Sequence, residues 1–147
     1  MRPSSRAVAR LRPVAGAEAD PRTRRRLSTR DASKPVARYS QGIAAAGLVF
    51  TAGQGAHDPV TNELPDGIEA QTRRTLENVD AILRAGGASL ASALKLTVYL
   101  ADRQDYAAMN AVYDTYMPDA PAVRTTVQAG LGTGMLVEID AIALAEG

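Results

Sequence analysis

The sequence predicts an α+β domain in which two helices lie on one face of a mixed six-stranded sheet. Three observations predict it. Six short runs have the composition or alternation of strands, and two longer segments repeat apolar residues at helical spacing. Their order is three strands, a helix, a strand, a helix and two strands, which suits helices gathered on one side of a sheet. The chain has 147 residues, one domain's worth, and 46% of them are hydrophobic, enough for a core. With one Phe and no Trp, that core must be aliphatic.

A short first strand is expected at residues 24–28, broken by Lys34 and Pro35. Two further strands are expected at 40–46 and 48–52, around Gly47; the second reads LVFTA, rich in the β-branched and aromatic residues that strands favour. A turn follows at Asp58-Pro59 and Thr61-Asn62, where Asn62 tolerates the left-handed backbone such a turn demands. The first helix is signalled by Asp66 as N-cap with Glu69 three residues on. Its apolar stripe is Ile68, Thr72, Leu76, Val79 and Leu83, widened by Ile82, and Gly86-Gly87 ends it. ALKLTVYL (93–100) reads as a strand. Asp102 caps a second helix over 103–117, closed by Pro118, with Tyr106, Met109, Tyr113 and Tyr116 as the buried stripe and Asn110 beside it. The last two strands, 123–129 and 135–144, flank the glycine-rich segment GLGTG, which reads as a hairpin loop.

Charge is unevenly distributed. Residues 1–30 carry nine Arg against Glu18 and Asp20, whereas residues 31–147 carry eight basic and fourteen acidic side chains. We therefore divide the chain into a basic extension, 1–22, and a mildly acidic domain, 23–147. The extension has little apolar periodicity, which fits a disordered tail or a start codon placed too far upstream. A mitochondrial transit peptide is the alternative, since the segment is rich in Arg. No run approaches the roughly 18 to 20 apolar residues of a membrane helix. Cysteine is absent, which excludes disulfides, thiolate metal sites and cysteine nucleophiles. With a single histidine, His57, no metal cluster is available and no Ser or Thr has a base to activate it. A cytoplasmic location is expected.

The chemistry-bearing residues cluster near the C-terminus. Side chains alternate across a strand, so Arg124, Thr126 and Gln128 share one face, and Leu136, Glu138 and Asp140 share a face on the partner strand. If the two strands pair as a hairpin centred near Gly132, Thr126 lies opposite Glu138 and Arg124 opposite Asp140. Opposed side chains would then be about 5 Å apart and diagonal ones about 7 to 8 Å. The pattern fits an ordinary cross-strand salt bridge on a solvated face. It fits equally a guanidinium fork for a small carboxylate, with Glu138 holding or activating a water.

Seven stretches in order also carry a resemblance: YSQG (39–42), TAGQ (51–54), ELPDGIEAQTRRTLENVDAILRAGG (63–87), KLTVYLAD (95–102), MNAVYDTYM (109–117), VRTTVQAGL (123–131) and LVEIDAIA (136–143). From about Arg24 onward the chain resembles the RidA/YjgF family of enamine/imine deaminases. The resemblance implies a chorismate-mutase-like α+β fold and a homotrimer with clefts at the subunit interfaces. It implies hydrolysis of 2-iminobutanoate and 2-iminopropanoate to 2-oxo acids and ammonia, without a cofactor. It places the carboxylate-gripping arginine on Arg124 and the water-positioning glutamate on Glu138. The cleft tyrosine falls on Tyr39, the helix asparagine on Asn110 and a backbone donor on Gly53. Asp140 is then expected to support the arginine.

Three positions depart from the family pattern. Ala52 replaces a serine, so one hydroxyl is lost. Thr126 replaces a cysteine, but its backbone N–H could still donate. Ala37-Arg38 replaces Gly-Pro and adds positive charge near the mouth. Two rival functions stay open: a non-catalytic trimer that senses 2-oxo acids, and a translation inhibitor acting on RNA. The acidic domain argues against nucleic acid, because phosphate contacts need basic surface.

Overall fold

The computed structural model describes residue 20 and residues 22–146, so the expectations for the extension fall almost wholly outside the described residues. The elements are β1 (Arg25–Leu27), β2 (Gly42–Ala45), β3 (Leu48–Thr51), α1 (Ile68–Ala85), β4 (Ala93–Leu100), α2 (Tyr106–Thr115), β5 (Val123–Gln128) and β6 (Val137–Leu144). The six strands form one sheet in the order β1-β2-β3-β6-β4-β5. Only β4 and β5 run parallel, so the sheet is mixed, as expected.

Burial alternates along the central strands. Leu96, Val98 and Leu100 of β4, and Val137, Ile139, Ala141 and Ala143 of β6, point to one side. Leu76, Val79, Ile82 and Leu83 of α1 and Met109 of α2 meet them there. Each such aliphatic side chain contributes about 1.5–3 kcal/mol on leaving water. Among the described residues, the other side of the sheet carries no helix. It presents Phe50, Val123, Val127 and Leu144, all substantially exposed.

The local signals mostly hold. Gly86 and Gly87 end α1, with Gly87 at φ +80°. Asn62 is left-handed at φ +62°. Ala46 and Gly47 form the β2–β3 turn, both at positive φ, the two-residue geometry whose twist matches paired strands. Asp102 accepts a hydrogen bond from Gln104 N–H, but what it caps is a 3-10 turn, Arg103–Asp105, and the α-helix proper begins at Tyr106. Asp66 does not cap α1. The N-cap is Gly67 at φ +86°, a backbone open to glycine but strained for aspartate, and no side chain bonds the first turn.

One larger expectation fails. β5 and β6 do not pair as a hairpin, because β4 lies between them. β4 has a fully apolar core row and takes a central place, whereas β5 is exposed at half or more of its residues and takes the edge. Residues 129–136 therefore arch over the end of β4. Ala129 N–H donates to Leu100 and Ala101 N–H donates to Leu136, one contact on each flank. The buried Gln71 side chain pins the arch, donating to Gly134 C=O and accepting from Leu136 N–H.

Candidate functional site

The strand order separates the two residues that the hairpin would have joined. Arg124 is in register with Leu96 and Thr126 with Val98, so both side chains lie on the helix side of the sheet. Glu138 is in register with Tyr99 and Asp140 with Thr97, between the core positions, so both lie on the open side. Within one chain, Arg124 and Glu138 are on opposite faces. Asp140 does not support Arg124; it accepts a hydrogen bond from Tyr99 Oη at 3.1 Å.

The arginine half is built by α2 packing beside the edge strand. Arg124 Nη1 donates to Asn110 Oδ1 at 2.8 Å, and Nη2 donates to Tyr106 Oη at 2.7 Å. The guanidinium carbon lies 4.6 Å from the ring centroid of Tyr113 and 5.6 Å from that of Tyr106. These are cation–π distances. Two of the five N–H groups are thus committed to holding the fork still, and no carboxylate pairs with Arg124 among the described residues. A cleft of about 590 Å³ opens between Arg124, Asn110, Tyr113 and the 117–122 segment. Thr126 Oγ1 is buried on the same side and has no partner. A fixed, unpaired guanidinium beside a cleft has the geometry to receive an anion with two oxygens in one plane.

The glutamate half lies on the open face. Gly53 lets the Glu138 carboxyl close in: a Cβ placed on Gly53 would sit 3.0 Å from Glu138 Cδ. The Gly53–Gln54 backbone is clamped to β6, because Gln54 and Ile139 exchange N–H···O=C bonds at 2.8 and 2.9 Å. Asn78, buried on α1, donates to Gly55 C=O and His57 C=O and fixes the loop from behind. The Glu138 carboxyl is half-buried, and burial first, then the charge of Asp140, raises its pKa above the ordinary carboxylate range. It therefore holds a proton more readily than a solvated glutamate would.

Tyr39 belongs to this second half. It lines a cleft of about 660 Å³ with Arg38, Phe50, Thr51 and Ala52, immediately before Gly53 in the chain. Its segment, 28–41, is held by the buried Gln41 side chain, which accepts from Thr29 N–H and donates to Thr29 C=O and Ser33 C=O. The structure thus sorts the six expected residues into Arg124, Asn110 and Thr126 on one side, and Glu138, Gly53 and Tyr39 on the other.

Two residues were not anticipated in the site. Tyr106 and Tyr113 were expected only in the buried stripe of the second helix, and Tyr113 is indeed buried there. Tyr106 is 44% exposed and turns toward Arg124, and the Tyr113 ring lies under the guanidinium. A signal was available: three of the five tyrosines of the chain fall within residues 106–116, where an aliphatic stripe would serve a core as well.

A single-layer sheet with its helices on one side, and this division of polar groups, define a class of small α+β proteins, and comparison with known proteins places the chain in it. The model of the Endoribonuclease L-PSP family matches residues 29–145. The chain belongs to that family, the RidA/YjgF proteins. It is 46% identical over 122 residues to a RutC family protein of Pyrococcus horikoshii, covering 82% of this chain and 97% of that one. It is 37% identical to TdcF of Escherichia coli, named a reactive intermediate deaminase, covering 80% and 95%. Among solved structures, Escherichia coli TdcF with bound serine superposes with a TM-score of 0.77 at 35% identity, covering 83% of this chain and 99% of that one. RidA from an Antarctic Psychrobacter superposes with a TM-score of 0.79 at 35% identity, covering 82% and 98%. The fold is the chorismate-mutase-like fold of these proteins.

Proposed function

We propose that the chain is a hydrolytic deaminase of 2-imino acids of the 2-iminobutanoate and 2-iminopropanoate type, and that its sites form between subunits of a homotrimer in the cytoplasm. One observation carries the reading: a rigidly held arginine with no carboxylate partner and a glutamate of raised pKa, both suited to such a substrate, lie on opposite faces of one sheet. A neighbouring copy whose open face meets the β5 edge would complete each receptor with a glutamate. The exposed apolar residues of that face, Phe50, Val123, Val127 and Leu144, are what such an interface would cover.

In this reading Arg124 holds the substrate carboxylate, with Asn110 and Tyr106 fixing the fork. Thr126 lies on the same side of the sheet. Glu138 of the neighbouring copy holds a water against the imine carbon, and the Gly53 N–H, which has no partner among the described residues, orients the reacting group. The water oxygen bonds to carbon, and a water proton passes through Glu138 to nitrogen. The hydroxyl proton of the resulting carbinolamine then passes to nitrogen through the same carboxyl, the C=O bond forms as the C–N bond breaks, and the 2-oxo acid and ammonia leave. The imine is intrinsically reactive, so positioning and one acid/base group suffice, and no cofactor is required.

The name of the family points to RNA, but the net negative charge of residues 31–147 weighs against it. The serine in the TdcF structure is a small amino acid, which favours a small-molecule ligand here.

The test uses a coupled threonine dehydratase assay that follows 2-oxobutanoate release. Arg124→Ala should lower imine turnover about 100-fold or more, the scale of losing a charge-assisted fork. Mixing Arg124→Ala with Glu138→Gln subunits should restore up to about a quarter of wild-type activity, because some interfaces then join two intact halves. Unchanged turnover in Arg124→Ala overturns the deaminase reading. An inactive mixture of properly assembled subunits overturns the shared site.

A further inference from the structure

The cleft beside Tyr39 has a second feature that hydrolysis of a simple imine does not use. Its lining includes Arg24, Arg26 and Arg38 and no acidic residue. Alternation along β1 explains two of them. Leu27 points into the core, so Arg26 faces the open side, opposite Ile43, and Arg24 follows it by period two. Arg38 comes from the 28–41 segment, which Gln41 anchors at both ends. Among the described residues none of the three pairs with a carboxylate. Three unpaired guanidinium groups around one concave surface repel one another unless an anion sits between them.

The position of this cleft gives it a role. It is walled by Thr51 and Ala52, and the next residue, Gly53, is the one against which the Glu138 carboxyl packs. An imino acid with its carboxylate on Arg124 of one copy and its imine carbon over Glu138 of the next would direct its side chain along Ala52 toward these arginines. Ala52 leaves room there and offers no hydroxyl.

We infer that the site selects 2-imino dicarboxylates, the imines of acidic amino acids, with Arg38 and Arg26 holding the second carboxylate. The inference rests on the deaminase reading above and names its substrate class. The side-chain carboxylate takes no part in the chemistry. Water still adds at the imine carbon, ammonia still leaves, and the second anion contributes binding. Because the cleft is open to solvent, the preference weakens as salt rises.

The test compares 2-iminosuccinate with 2-iminobutanoate, each generated in place by an amino-acid oxidase. The wild type should show the higher kcat/KM with 2-iminosuccinate. Arg38→Ala should reduce the ratio of the two kcat/KM values about 10-fold or more, and Arg26→Ala should reduce it less. Arg73→Ala, which removes one exposed charge from the far side of α1, should leave the ratio as it is. A wild type that prefers 2-iminobutanoate, or a ratio indifferent to Arg38 and Arg26, overturns the inference while the deaminase reading stands. A binding arm separates the two claims in the other direction. Calorimetry with 2-oxoglutarate against 2-oxobutanoate should show tighter binding of the diacid that depends on Arg38. If no imine is hydrolysed yet that preference is found, catalysis falls and diacid selection survives. If neither is found, both fall.

Discussion

The two halves of the site are prepared in different ways. At the β5 edge, Arg124 is over-determined: two hydrogen bonds and two aromatic rings fix its guanidinium before anything binds. On the open face, the Glu138 carboxyl makes no hydrogen bond to the described residues and is placed only by its strand and by the close approach of Gly53. In the proposed reaction, rigidity suits the arginine, which presents one geometry to a carboxylate, and freedom suits the glutamate, which exchanges a proton with a water. On that reading binding and proton transfer fall to elements with opposite demands, and the sheet keeps them apart.

The sharpest way to break this comparison is Glu138→Gln. The variant keeps the size and loses the proton, so turnover should fall about 100-fold or more while affinity for a 2-oxo acid product changes little. In the wild type, the acid limb of kcat/KM should lie above the usual carboxylate range, following the raised pKa. The sign for stability is opposite. Folding raises this pKa, so the folded state binds the proton more tightly than the unfolded one. Stability then falls as pH rises from the unfolded to the folded pKa, and the cost stays constant above that. Thermal melts should show Glu138→Gln more stable than wild type at neutral pH and equal to it in acid. A less stable variant at neutral pH would show that the carboxylate has a stabilising partner and is not held in reserve.

Much of this was legible in the sequence, but not the division itself. α1, β3 and β4 could be read because period and caps are local properties of consecutive residues. Arg124 and Glu138 could be picked out as candidates from residue type and from resemblance. Their placement on opposite faces was not, because β5 and β6 look like a hairpin to any argument that considers only neighbours in sequence. What separates them is the choice of β4 as a central strand, decided by the burial of Leu96, Val98 and Leu100 under both helices. Tyr106 was misassigned for a related reason: helical spacing identifies a stripe but not what it faces, whereas Tyr113 is buried as expected and also lies under the guanidinium.

A smaller effect is expected from loosening the arginine. Asn110→Ala removes the partner of Nη1 and should raise KM about 10-fold with a lesser change in kcat, since the fork must then be ordered by the substrate itself. Tyr106→Phe keeps the ring contact and loses only the hydroxyl, so about 3-fold is expected. If both variants lower kcat and leave KM alone, rigidity at this half serves the chemical step instead of binding.

The smallest effect, and the finest distinction, belongs to Thr126. Its hydroxyl is buried on the arginine side without a partner, and such a group costs about 1 kcal/mol or more. Thr126→Val preserves the shape and the backbone N–H but removes the hydroxyl. If the residue serves the site only through its backbone, the variant should gain about 2–4 °C in Tm and keep kcat/KM within about twofold. A gain in stability with a clear loss in kcat/KM would mean that the hydroxyl is left unpaired for the substrate. The arginine half would then include a reserved hydrogen-bonding group of its own, as the glutamate half does. No gain in stability would mean that a water already satisfies the hydroxyl, and that the rigidity of this half extends to its solvent.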